Sequence, residues 1–144
     1  MKVRDIMSQK VIRIGHQEPA QVAARTLTHY NIGMLPVCGG DGRLCGVITD
    51  RDLVTRCLAA ERAAGTWKVS DVMSSHVISV GPDADLAQAA ELMGKHQIRR
   101  LPVVENGRLC GMVTLADLAN AQPGEADPAK TLMQITSNIC RRER

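Results

Sequence analysis

Residues 46–53 read GVITDRDL, and residues 111–118 read GMVTLADL. Glycine, threonine, aspartate and leucine keep their places, so Thr49-x-x-Asp52 returns as Thr114-x-x-Asp117. Between them, the charged pair Asp50–Arg51 gives way to Leu115–Ala116. Thr followed three residues later by Asp has capping-box spacing: the hydroxyl accepts a bond from a helix N–H, and the carboxylate favours the positive helix end. The same spot can seat a phosphate, because the first N–H groups of a helix have no partner within it. A carboxylate one turn in can accept bonds from two ribose hydroxyls. Capping and binding are compatible at one place, so the motif by itself leaves both open.

The likeness extends in both directions. VRDIMSQKVIRIG (3–15) matches VSDVMSSHVISVG (69–81), NIGMLPV (31–37) matches QIRRLPV (97–103), and GRLCGVITDRDL (42–53) matches GRLCGMVTLADL (107–118). Residues 3–53 and 69–118 align with one gap and about twenty identities, which fixes the organisation as a duplication. The gap falls where CGGDG becomes ENG, a turn, and Asn106–Gly107 is a strong two-residue hairpin signal.

Each copy reads as strand, helix, strand, strand, helix after a short V-x-D-h-M turn. The spacing predicts first strands at Val11–Ile14 and Val77–Val80. Helices follow, with Ala20, Ala23, Ala24 and Leu27 on one face in the first copy and Leu86, Ala89, Ala90 and Met93 in the second. Pro19 suits a first helical turn, and Asp83 or Asp85 suits a cap. AQPGEADP (121–128) is rich in breakers and reads as a linker, after which Leu132, Ile135 and Ile139 recur at helical spacing. That tail reads as a short amphipathic helix packing on the module or on a second subunit, with Arg141, Arg142 and Arg144 favouring its C-terminal dipole.

Composition narrows the function classes. The chain has 144 residues, a net charge of +3, no Phe, one Trp and one Tyr. Such a charge suits small anions and falls short of a nucleic-acid footprint, and base-stacking platforms are missing. The opening MKVRDIMSQK has no apolar signal core, and no apolar run reaches bilayer length, which points to the cytoplasm. Five scattered cysteines form no C-x-x-C pair, so no metal is expected. Cys45 and Cys110 read as core residues, and Cys38 and Cys140 are the candidate disulfide partners. His16, His29, His76 and His96 join no nucleophile or metal constellation, and no base–nucleophile pair can be named, so the expectation is no enzyme. Met7 and Met73 match each other and read as core residues.

These residues resemble the tandem CBS-domain pair, or Bateman module, of the small stand-alone bacterial type. The carriers are Asp5-Ile6-Met7 and Asp71-Val72-Met73, Leu35-Pro36-Val37 and Leu101-Pro102-Val103, and the two G-h-h-T-x-x-D segments. The resemblance covers residues 1–120 and implies an α+β fold of two pseudo-symmetric CBS motifs, β-α-β-β-α each, packed as one module. The corresponding division is 1–60 for the first motif, 61–68 for a linker, 69–121 for the second motif and 122–144 for a linker and tail helix. The resemblance further implies a non-enzymatic regulatory module that binds AMP, ADP, ATP, S-adenosylmethionine or NADH in clefts between the motifs. It implies a homodimer, with no required cofactor. In such modules Asp holds the ribose and Thr meets the phosphate, which assigns Thr49, Asp52, Thr114 and Asp117. Basic residues before h-P-V reach phosphate, which assigns Arg99 and Arg100, while Arg51 sits beside the first Thr–Asp pair. Adenine is expected on apolar side chains near Val11, Ile12, Val77 and Ile78.

The first copy has Gly33–Met34 where the second has Arg99–Arg100, so charge sits on different loops and the two sites are expected to be unequal. Whether Arg51 and the Arg99–Arg100 pair converge on one site or serve one each stays open at this level. The competing reading is a structural, interaction or redox-responsive dimeric module with unoccupied clefts. An unidentified protein partner fits either reading.

Overall fold

The structure, a computed structural model, describes residues 1–60, 66–121, 124 and 126–143, with side chains through residue 137. Each copy opens on a one-turn helix, α1 (Val3–Ile6) and α4 (Val69–Val72). The aspartate of V-x-D-h-M explains both. The Lys2 and Lys68 amides donate to Asp5 and Asp71 Oδ2 at 2.7 and 2.9 Å, closing the first turn.

In the first copy, β1 (Ile14–Gly15), α2 (Ala20–Tyr30), β2 (Met34–Cys38) and β3 (Leu44–Thr49) lead into α3 (Asp50–Asp52), which runs on as a π-helical stretch at Leu53–Leu58. The sheet order is β1-β2-β3, with β1 parallel and β3 antiparallel to β2. In the second copy, α5 (Leu86–His96), β4 (Arg100–Glu105), β5 (Arg108–Thr114) and α6 (Leu115–Ala119) repeat the plan, followed by α7 (Pro128–Glu143). The expected α+β alternation is present. Asn106 and Gly107 both take positive φ, 53° and 79°, as the two-residue hairpin requires. Pro19 stands at the N-cap of α2 and Asp85 at that of α5, while Asp83 pairs with Arg4 Nη2 at 2.8 Å instead of capping.

The expected first strands are shorter than the apolar pattern implied. Residues 11–13 and 77–79 are not strand, and the second copy keeps only a parallel bridge of Val80 with Val103. A strand needs a continuous neighbour, and these residues are where the chain passes between packing units. One compact unit is Met1–Val11 with the chain from Ile78 onward, and the other is Ile12–Val77. Repeat and packing unit therefore differ in their bounds.

The opening helices exchange places. Val3 is fully buried with Leu86, Met93, Leu101 and Val113 of the second copy, and the Val3 amide donates to the Ala84 carbonyl at 2.9 Å. Val69 and Val72 are fully buried with Leu35, Val37 and Ile48 of the first copy, and the Val69 amide donates to the Glu18 carbonyl at 2.8 Å. A four-residue helix cannot persist alone. Burying a valine contributes roughly 1.5–3 kcal/mol, which fixes each helix to the core it enters.

Glycine makes the close approach available. The Ser8 amide donates to the Met112 carbonyl and the Ser74 amide to the Val47 carbonyl, at 2.9 and 2.8 Å, beside Gly111 and Gly46. A Cβ on Gly46 would lie 2.6 Å from Met73 Sδ and 2.8 Å from the Ser74 carbonyl oxygen. On Gly111 it would lie 2.6 Å from Met7 Sδ and 3.0 Å from the Ser8 carbonyl oxygen. Met7 and Met73 are thus seated on glycines at the core margins, each packed against the cluster of its own unit. Gly46→Ala and Gly111→Ala should each destabilise the fold by about 1–3 kcal/mol, the usual cost of overpacking against backbone. Urea unfolding reads this as a lower midpoint with an unchanged slope.

Candidate functional site

The two Thr–Asp motifs fold into the same device. The Asp52 amide donates to Thr49 Oγ1 at 3.0 Å and the Thr49 amide to Asp52 Oδ2 at 3.1 Å. The second copy repeats this at 3.1 and 2.8 Å for Asp117 and Thr114. Both are complete capping boxes at the junction of a strand and a helix. Each threonine oxygen acts as acceptor for the cap and keeps its O–H to donate elsewhere.

The loop before h-P-V is tied to this junction. The Asp50 amide donates to the Gly33 carbonyl at 3.3 Å, and the Leu115 amide to the Arg99 carbonyl at 2.9 Å. Strand register sets Met34 opposite Thr49 and Arg100 opposite Thr114. The second copy therefore gathers Arg99, Arg100 and Thr114 on one surface. The first copy offers Gly33 and Met34 there, with Arg51 exposed on the adjoining turn.

The carboxylates also differ. Asp52 is buried, and its Oδ1 lies 3.5 Å from Arg56 Nη1. The same guanidinium donates to the Val72 carbonyl at 2.9 Å, so Asp52 is built into the structure of its unit. Ala121 stands at the position of Arg56 in the second copy, and among the described residues Asp117 has no corresponding ion pair.

A pocket of about 530 Å³ opens on the Arg99, Arg100 and Thr114 surface. Leu115, Ala116 and Ala119 of α6 form its floor, and Pro128, Ala129 and Leu132 of α7 border it. Asp117 is not part of this lining. Among the described residues no acidic side chain lines the pocket, so two exposed guanidiniums give it a positive field with an apolar floor. The arginines and the threonine named from the sequence thus share one pocket, and the bordering residues of α7 were not among the expected site residues. The tail's spacing predicted a helix packing on the module or on a second subunit, and the structure lays it on α5 and α6.

The remaining candidates are dispersed. Val11, Ile12, Val77 and Ile78 are all half-buried, and none lines this pocket. Ile12 packs on the core of the Ile12–Val77 unit and Ile78 on that of the other. In the Ile12–Val77 unit, a pocket of about 670 Å³ borders His16, Glu18, Cys38 and Gly40, away from Thr49, Arg51 and Asp52. Cys38 is a buried free thiol, and the Cys140 side chain lies outside the described residues, as do those of Ile139, Arg141, Arg142 and Arg144. The Cys45 and Cys110 thiols are half-buried rather than enclosed, and each donates to a strand carbonyl, Val37 or Val103, at 3.3 Å. Burial, then the neighbouring Cys38 for Cys45 and Glu105 for Cys110, pushes both thiols up, which keeps them protonated near neutral pH. Among the described residues there is no group of three or more His, Cys, Asp or Glu placed to hold a metal ion, and no helix is long and apolar enough to cross a membrane.

A duplicated strand–helix–strand–strand–helix unit, each copy closing on a Thr–Asp capping box, defines a tandem-repeat module. The chain belongs to the CBS domain family, whose model matches residues 3–59 and 69–124. It is similar to Hypoxic response protein 1 of Mycobacterium tuberculosis, 36% identical over 137 residues that cover 95% of this chain and 92% of the relative. The solved structure of that protein, described with two coordinated zinc ions, covers 85% of this chain and all of its own, with TM-score 0.78 at 37% identity. CBS domain-containing protein YhcV of Bacillus subtilis is 38% identical over 134 residues, covering 93% of this chain and 94% of its own. The CBS domain pair of protein MJ0100, solved in complex with 5′-methylthioadenosine and S-adenosyl-L-methionine, is 30% identical with TM-score 0.70, over 83% of this chain and 97% of that one.

Thr49→Ala and Thr114→Ala should each cost about 1 kcal/mol by removing a cap acceptor, and Thr→Ser at either place should restore most of it. Chemical denaturation of the four variants measures the difference.

Proposed function

We propose that this protein is a non-enzymatic regulatory module that binds an adenosine-containing nucleotide, with the second copy as the principal site. The observation that carries the reading is the pocket of about 530 Å³ that joins Arg99 and Arg100 to the free hydroxyl proton of Thr114. The guanidiniums suit phosphate or carboxylate oxygens, and the aliphatic floor suits a purine face where no aromatic side chain is available. Asp117, whose carboxylate has no counterpart of Arg56 beside it among the described residues, is the candidate ribose acceptor next to this pocket. The first site, with Thr49, Arg51 and Asp52, is the weaker one, because Asp52 already serves Arg56. Val11, Ile12, Val77 and Ile78 are the further candidates for adenine contact. The complex of MJ0100 with two adenosine compounds supports the ligand class for this relative of it.

The regulatory output follows from linkage: a ligand shifts a conformational equilibrium only as far as it binds one state better. We take the working form to be a homodimer in the cytoplasm; the exposure of Val54 and Leu58, at 56% and 66%, on the π-helical stretch supports the dimer alone.

A melting series with AMP, ADP, ATP, S-adenosylmethionine and NADH tests the reading. A ligand at a hundred times its dissociation constant raises stability by about 2.7 kcal/mol. We expect at least one to raise Tm in the wild type, the rise to be lost in Asp117→Asn and Arg100→Ala, and most of it to survive in Asp52→Asn. Ligand-induced shifts are compared within each variant, so an altered cap does not enter. No shift with any of the five, on ligand-free wild-type protein, sinks the idea.

A further inference from the structure

The pocket beside Thr114 is not made by the repeat alone: Pro128, Ala129 and Leu132 come from α7, outside the duplicated segments. The helix is firmly seated where it meets α5. Thr131 and Ile135 are 3% and 8% exposed, and the Gln97 side-chain amide donates to the Gln134 carbonyl and to Ser137 Oγ, both at 3.2 Å. Gly94 of α5 leaves the space that the Gln134 side chain fills. The start of the helix is fixed as well, since the Lys130 amide donates to Asp127 Oδ1 at 3.1 Å. Yet Leu132, between two buried contacts, stays 44% exposed, and it does so on the wall of the pocket.

We propose that α7 is a specificity-determining wall of the nucleotide site, with Leu132 and Ala129 contacting the adenine or an apolar 5′ group while Arg99 and Arg100 take the anionic end. This rests on the reading of the second copy as the nucleotide site. The division follows from the lining: charge lies on the β4 side, and the α7 side is wholly aliphatic. A ligand in contact with both sides covers apolar surface that α7 otherwise leaves in water, so occupancy and the docking of α7 strengthen each other. The nucleotide state is thereby written onto the C-terminal segment, which has no counterpart after the first copy among the described residues.

The test is calorimetric titration of the full chain with AMP, with ATP and with S-adenosylmethionine in turn, using wild type, Leu132→Ala, Met133→Ala and Asp117→Asn. Leucine to alanine keeps helix propensity and removes a pocket contact, so the affinity of each ligand that binds should fall roughly tenfold. Met133, 74% exposed and absent from this pocket, should leave affinity unchanged when replaced. Hydrogen exchange should slow at the backbone amides of 129–137 when the wild type is saturated. Unchanged affinity in Leu132→Ala, with binding still lost in Asp117→Asn, overturns the wall and leaves the site standing. Equal losses in Leu132→Ala and Met133→Ala, or no slowing of exchange in α7, also overturn it. Absence of wild-type binding to all three ligands removes the site and the wall together.

Discussion

The fold depends on two places where backbone meets backbone with no room for a side chain. At Gly46 and Gly111, a strand of one copy accepts the segment following the other copy's opening helix, with a methionine sulfur and a serine carbonyl in the space a Cβ would take. Because the approach is this close, the serine can exchange hydrogen bonds with the strand, and the valine ahead of it reaches the core. The one-turn helices then belong to the copy they did not come from. Each packing unit is completed by a piece of the other repeat, so neither copy, taken as a contiguous segment, contains its own core.

The same duplication supplies the Thr–Asp capping boxes, and there the copies diverge. The cap geometry is nearly identical, at 3.0 and 3.1 Å in the first and 3.1 and 2.8 Å in the second. What differs is the surroundings: Arg56 holds Asp52, whereas Ala121 takes the matching place in the second copy; Gly33–Met34 borders one junction and Arg99–Arg100 the other. A shared local device therefore sits in two electrostatic environments. The positive, aliphatic-floored pocket is found at the second, and the carboxylate at the first is already committed to structure.

Among the described residues, the π-helical stretch after α3 has no counterpart directly after α6. It carries Cys57 into the core while leaving Val54 and Leu58 outside. The second copy uses its C-terminal helix instead, laid over α5 and α6 and bordering the pocket. Divergence after the capping box thus gives each copy a different neighbour for the same junction.

Much of this was legible in the chain itself. Period-3.6 alanines and leucines marked α2 and α5, Asn106–Gly107 marked the hairpin, and Thr-x-x-Asp marked both helix starts, because these features depend on residues a few positions apart. The mixed α/β order and the family followed from the repeat. The first strands did not, since an apolar run shows a need for burial but not which neighbour supplies the ladder. Nor did the exchange of α1 and α4, because two copies with matching valines and glycines pair equally well on paper in either arrangement. The sequence by itself determined the elements, their order and the inequality of charge between the two Thr–Asp sites. Only the tertiary structure decided that Arg100 lies opposite Thr114, that Asp52 is held by Arg56, and that α7 borders the pocket. Those outcomes depend on strand register and helix docking, which follow from packing between residues distant in the chain.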